Sequence, residues 1–230
     1  EAKKFYEESL SINRDKGDKR GIANTLLNLG LVEYNMENNE KALELFEECR
    51  TLYIETGDKA GLAFSLYGFG IVSSAKGKYE QAQNFLEESL ALRQDMGDKS
   101  GIVNCMNHLG AVSFLTGNNK LAREFIEQSL ECNKALGDEW GIDVSLVVLA
   151  GIVSSDNDYN TAAKLIGAAE NNLKSIDRVL ESGVKKLEEQ IIKKLHEKIN
   201  GEEFSKYLET GKILSPGEAV GIVSDVKRET

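Results

Sequence analysis

The residues of this chain whose types could do chemistry are two histidines, three cysteines and a set of adjacent glutamates. His108 and His196 have no cysteine or second histidine at the spacing a zinc site uses, so metal ligation is not expected. No nucleophile, base and orienting group can be assembled from the sequence, and neither catalysis nor a cofactor is expected. Cys49, Cys105 and Cys132 are odd in number and unpaired in spacing, which reads as reduced thiols of a cytoplasmic protein. Glu7-Glu8, Glu47-Glu48 and Glu87-Glu88 could suggest acid–base work, but neighbours on a helix do not share a face. They read as a solvated surface. Gly68-Phe69-Gly70 with Gly77-Lys78 lacks the G-x-x-x-x-G-K-[ST] spacing of a phosphate loop. What remains is the chemistry of recognition.

The elements that must position such residues are repeats. Gly17-Asp18-Lys19-Arg20-Gly21-Ile22-Ala23 returns at Gly57, Gly97 and Gly137, 40 residues apart each time and without insertion. A fixed period of this kind is the mark of a stacked repeat. Ile22, Leu26, Leu29 and Val32 or Glu33 trace one helical stripe, and Ala42, Leu45, Phe46 and Cys49 trace another. A polar turn, Asn35 to Asn39, separates them. The first Gly of each corner suits a left-handed position after a helix, and the Asp suits an N-cap. Gly30, Gly70 and Gly110, with Ala150 last, sit inside the first helices, where glycine costs about 1 kcal/mol against alanine. That cost at one register implies close approach to the Ala42, Ala82, Ala122 and Ala162 column of the second helices.

The pattern divides the chain into a second helix of a truncated repeat (1–16), four repeats (17–56, 57–96, 97–136, 137–176) and a C-terminal helical cap (177–230). In the cap, Ile176, Leu180, Val184, Leu187, Ile191 and Leu195 read as one long helix, followed by a short helix around Phe204. Ser215-Pro216-Gly217-Glu218 reads as a capping box for a last helix through Val226. The sequence opens in mid-helix without Met, as a piece of a longer protein would. Its first helix should leave Phe5, Leu10 and Ile12 uncovered, for an upstream repeat or for self-association.

The net charge of −10 argues against nucleic-acid binding by this segment, since a phosphate backbone requires clustered Lys and Arg. No apolar run approaches the ~18 residues of a membrane span, and neither a membrane span nor a signal peptide is expected from these residues.

The spacing Leu26-x-x-Leu29-Gly30 followed by Ala42-x-x-x-Phe46 resembles the tetratricopeptide repeat, with Leu66-x-x-Phe69-Gly70 and Met106-x-x-Leu109-Gly110 opening the next units. The fourth unit departs at Ala150 and Gly167. The resemblance covers residues 1 to about 175. It implies an all-α fold, a right-handed α-solenoid of tetratricopeptide-like helix pairs. The family's usual period is about 34 residues; a period of 40 resembles the longer-helix variety of bacterial signalling ATPases and regulators. The segment Ala162-Ala163-x-Leu165-x-Gly167-Ala168-Ala169-Glu170, with Gly201-Glu202-Glu203-Phe204, Gly211 and Ser215-x-Gly217-Glu218-Ala219-Val220, resembles the C-terminal end of such regulators. In that group a tetratricopeptide array follows a signalling ATPase and an effector: a LuxR-type DNA-binding domain, an adenylate or guanylate cyclase, or a kinase.

The resemblance implies a sensing or docking arm in signal transduction or transcription regulation, with the first helix of each pair lining a concave groove for a protein or peptide. The groove residues are then Asn24, Leu27, Leu31, Tyr34, Phe64, Tyr67, Asn104, Asn107, His108 and Phe114. Asn104, Asn107 and Tyr67 are favoured because a core would leave their polar atoms unpaired. A small ligand stacked on Tyr34, Phe64, Tyr67 and Phe114 is the alternative occupant. The Lys and Arg residues of carboxylate-clamp tetratricopeptide domains are missing from these positions, so an acidic chaperone tail is not expected.

Overall fold

The computed structural model describes residues 1–137, 139–176 and 179–226. Among them are twelve α-helices and no strand: α1 (Ala2–Lys16), α2 (Lys19–Asn35), α3 (Asn39–Thr56), α4 (Lys59–Ala75), α5 (Tyr79–Met96), α6 (Lys99–Leu115), α7 (Asn119–Leu136), α8 (Glu139–Ser155), α9 (Tyr159–Ser175), α10 (Ser182–Lys198), α11 (Gly201–Lys212) and α12 (Pro216–Val226). The corners form as their residue types require. Gly17, Gly57, Gly97 and Gly137 take φ of 67° to 69°, a left-handed conformation that only glycine adopts without cost. Asp18, Asp58 and Asp98 then accept from the backbone N–H of Gly21, Gly61 and Gly101, each at 3.0 Å, and so cap α2, α4 and α6. Asp138, expected to do the same for α8, lies outside the described residues.

The chain forms two compact units. The first, Glu1–Cys105, holds α1 to α5 and the start of α6. Here α2 pairs with α3 and α4 with α5, while α3 packs on α4 and α1 on α2. The glycines inside the first helices are sockets. A Cβ added at Gly30 would lie 2.5 Å from the Phe46 ring, and one at Gly68 would lie 2.8 Å from the same ring. Phe46 is thus held between its own pair and the next. Gly70 makes the equivalent socket for Leu86. The first-helix stripe includes an acid: Glu33 is buried and pairs with Lys3 of α1 at 2.8 Å. Lys3, with an Asn38 hydrogen bond, holds the Glu33 carboxyl below the usual carboxylate range. Elsewhere α1 presents Phe5 (68% exposed) and Ile12 (52%) to solvent.

The second unit, Met106–Thr230, holds the rest of α6 and α7 to α12. Its core centres on α8 and α9, where Leu146, Val147, Ile152, Leu165 and Ile166 are buried. Helix α10 packs on α8 and α9, and α11 and α12 pack on α9. Gly167 and Gly211 let two backbones meet: a Cβ at Gly167 would strike the Leu208 carbonyl, and one at Gly211 the Lys164 carbonyl. The departure of Gly167 from the repeat is therefore the seat of α11. The long helix expected from Ile176 is broken. Helix α9 ends at Ser175, Glu181 is extended (φ −60°, ψ 150°), and α10 starts at Ser182. Ser182-Gly183 is a poor helix interior and is accommodated in a first turn. The capping box forms as expected, with Glu218 accepting from Ser215 N–H at 2.8 Å and Ser215 Oγ accepting from Glu218 N–H at 3.3 Å.

Candidate partner-binding face

Ten residues were expected to line a groove, and their burial separates them. In the first unit Asn24 and Phe64 (41%) are exposed, Leu27, Leu31 and Asn104 are half-buried, and Tyr34 (1%) and Tyr67 (6%) are buried. In the second unit Phe114 is half-buried, whereas Asn107 (1%) and His108 (5%) belong to the interior. Asn24, Phe64 and Asn104 stand at one register of α2, α4 and α6. Their accessible surface mixes amide and aromatic groups, a combination suited to hydrogen-bonding and packing against a peptide.

The premise that placed Asn107 at a surface, that a core would leave it unpaired, does not hold here. Its Oδ1 accepts from Ser129 (2.6 Å) and Ser145 (2.8 Å), and its Nδ2 donates to the Gly141 carbonyl (3.1 Å). His108 likewise lies 3.2 Å from Glu181, through Nε2 and Oε2. His196 is exposed, with its ring 4.2 Å from that of Phe204. Paired small polar residues recur in the first unit too. Asn13 donates to Thr25 Oγ1 at 3.2 Å, Ser89 to the Ala63 carbonyl at 2.7 Å, and Cys105 to Ser89 at 3.4 Å. Fully satisfied, such groups fix which surfaces meet.

Sequence reasoning missed a second set of residues. Asn13, Tyr53, Arg93 and Asn133 are 40 residues apart near the ends of the second helices. Each fills the space left by the second glycine of the following corner, Gly21, Gly61, Gly101 and Gly141. The position repeats; its chemistry does not. Tyr53 donates to Asn24 Oδ1 at 2.8 Å. One repeat on, the Arg93 guanidinium carbon lies 4.1 Å from the centre of the Phe64 ring and 5.8 Å from that of Tyr67. The signal was present in the sequence, because this column changes from Asn to Tyr to Arg while the glycine it fills is kept at Gly21, Gly61, Gly101 and Gly141.

The nucleophiles are quiet. Burial pushes the Cys49 thiol up to about 12 and the Cys105 thiol above its ordinary value, so neither is a thiolate near neutrality. Among the described residues no group of three His, Cys, Asp or Glu side chains could hold a metal ion, and no helix is long and apolar enough to cross a membrane. Two open hollows lie away from the exposed register. One, of about 540 Å³, has Leu43, Phe69 and Phe85 among charged residues; the other, of about 410 Å³, has Glu170 and Glu188 beside Leu173 and Leu180.

Family models agree with this geometry. One model of the tetratricopeptide repeat matches residues 1–55 and 21–95, and a second matches residues 102–139. A comparison with curated proteins found no match. The matched segments cover more than half of the chain, their helix pairs have the register that the repeat requires, and the chain belongs to the tetratricopeptide-repeat proteins.

Proposed function

We propose that this chain is a non-enzymatic scaffold that binds a protein segment or peptide on the first-helix face of residues 1–105. Asn24, Leu27, Leu31, Phe64 and Asn104 are the contact residues. The observation that carries the reading is Phe64: a large aromatic residue held 41% exposed at the same register as Asn24 and Asn104. Helical pairs present such a surface already formed, so little ordering is lost on binding. In the intact protein this face is the docking arm of a bacterial signalling or transcription regulator. The tail pattern around Gly167 and Gly211 supports that placement, because it resembles the end of those regulators in a region that simple repeat packing does not dictate.

The test uses random dodecapeptides displayed on phage and selected on the chain. The double variant Asn24→Ala, Phe64→Ala is expected to lose the selected peptides at least tenfold while its far-ultraviolet circular dichroism is unchanged. Undiminished binding would remove the face from consideration.

A second reading has its own observation. Phe5 and Ile12 of α1 are more than half exposed on one apolar face. Self-association through this face would appear as a concentration-dependent mass in light scattering, abolished by Phe5→Glu with Ile12→Glu.

A further inference from the structure

The donor set of Arg93 is incomplete. Its side chain is 1% exposed, which makes it the bulkiest fully buried residue of the described chain. Nε donates to Ser89 Oγ at 3.2 Å and Nη1 to Asp98 Oδ2 at 2.6 Å. Nη2 is buried without a hydrogen-bond partner. A guanidinium carries five donors and surrenders one unpaired only at a cost on the order of 1–3 kcal/mol. The group beside it is Phe64, whose ring is both the most exposed aromatic surface of α4 and 4.1 Å from the guanidinium carbon. Phe64 is the removable cover, since a surface aromatic side chain changes rotamer on the ps–ns scale.

We infer that Arg93 is the buried anchor of the peptide-binding face, and that Nη2 takes a neutral amide oxygen of the bound peptide once Phe64 turns aside to pack on the peptide's apolar side chain. The inference rests on the first-helix face being the binding surface. The choice of a neutral acceptor follows from charge. Asp98, at 2.6 Å, already balances the guanidinium. A second carboxylate in this buried setting would add an uncompensated negative charge to a chain of net charge −10, whereas a carbonyl satisfies the donor without that penalty. Arg93 comes from the second helix of its pair and reaches the face from below. The expectation of a face without basic residues, read from the first helices alone, therefore misses it.

The experiment takes the strongest dodecapeptide from the selection described above, resynthesised as an acetylated amide, and titrates it into chain labelled with ¹⁵N-arginine. The Arg93 Nε–H resonance is assigned by its absence in Arg93→Gln. It is expected to shift saturably with peptide. Affinity should change less than threefold between 50 mM and 500 mM salt, as expected of a neutral acceptor, and fall about tenfold or more in Arg93→Gln. Since Arg93→Gln could disturb folding, the wild-type resonance shift stands as an independent readout. A peptide that binds with the Arg93 resonance unmoved overturns the anchor while leaving the face intact. An acidic consensus with steep salt dependence overturns the neutral acceptor. If no peptide is selected, or binding ignores Asn24→Ala and Phe64→Ala, the face itself fails and the anchor with it.

Discussion

The Tyr53 hydroxyl, inside the first unit, donates at 2.8 Å to Asn24, which faces solvent. A buried second-helix residue thus sets the orientation of an exposed first-helix amide, and Arg93 stands in the same relation to Phe64 one repeat later. Tyr53→Phe removes that hydrogen bond alone. It should lower stability by about 1 kcal/mol in urea unfolding and weaken peptide capture through Asn24, with helicity unchanged. A variant with wild-type affinity would show that Asn24 needs no support.

The glycines of one corner should respond to alanine for different reasons. Gly57 has φ of 68° and nothing near its missing Cβ, so Gly57→Ala should cost about 1 kcal/mol through backbone conformation. Gly61 is filled by the Tyr53 ring, and Gly61→Ala should cost about 2–3 kcal/mol through overpacking. Pairing it with Tyr53→Ala should make the two costs non-additive, whereas Gly57→Ala with Tyr53→Ala should be additive. A double-mutant cycle in urea separates these outcomes.

Asn107 is expected to be a stability residue. Asn107→Ala removes the amide that ties the Gly141 carbonyl to the Ser129 and Ser145 hydroxyls, and should cost about 1–3 kcal/mol. Retained thermal stability in calorimetry would mean that water replaces the amide.

The Asp58 cap predicts a loss of stability in acid. The backbone N–H of Gly61, followed by Arg20, holds the Asp58 carboxyl below its ordinary value. A carboxyl with a depressed folded pKa stabilises above its unfolded value, near 4, and loses that contribution as pH falls through the folded one. Asp58→Asn, which keeps the cap acceptor, should flatten this part of the acid limb. Asp58→Ala should lower stability at pH 7 by about 1 kcal/mol.

Glu188 runs the opposite way. Burial, with the Glu170 charge beside it, pushes its carboxyl up to about 7. The folded chain then holds more protons than the unfolded one between roughly pH 4.5 and 7, so stability falls as pH rises through that window. Glu188→Gln should be more stable than wild type at pH 8, by about 1–2 kcal/mol after solvent screening of a partly exposed group, and nearly equal at pH 4.5. Equal urea midpoints at pH 8 would mean that the carboxylate is solvated.

The helices were legible because their cause is local and repeats: the stripe spacing, the αL glycines and the Asp caps all recur at 40 residues. The site was legible only in part. Asn24 and Phe64 lie on the open side of their helices, but Tyr34, Tyr67 and Asn107 occupy similar registers and are enclosed. Helical phase gives the direction of a side chain and not the neighbour that closes over it. For Asn107 the enclosing partners are Ser129 and Ser145, 22 and 38 residues away, and polar satisfaction across that distance is invisible to periodicity. The break before α10 was missed for a related reason. The apolar spacing from Leu180 to Leu195 is helical, and periodicity does not register that Ser182-Gly183 suits the start of a helix better than its interior.

The second glycine of each corner offers a cavity that side chains of different chemistry fill. Asparagine, tyrosine and arginine have all been admitted there without disturbing the caps beside it. A chain built this way can exchange the chemistry beneath its exposed face one position at a time, leaving the helix pairs as they are. On the proposed reading, ligand preference and the scaffold rest on different residues, and a designer would rewrite the first by varying positions 13, 53 and 93 beneath the face of residues 1–105.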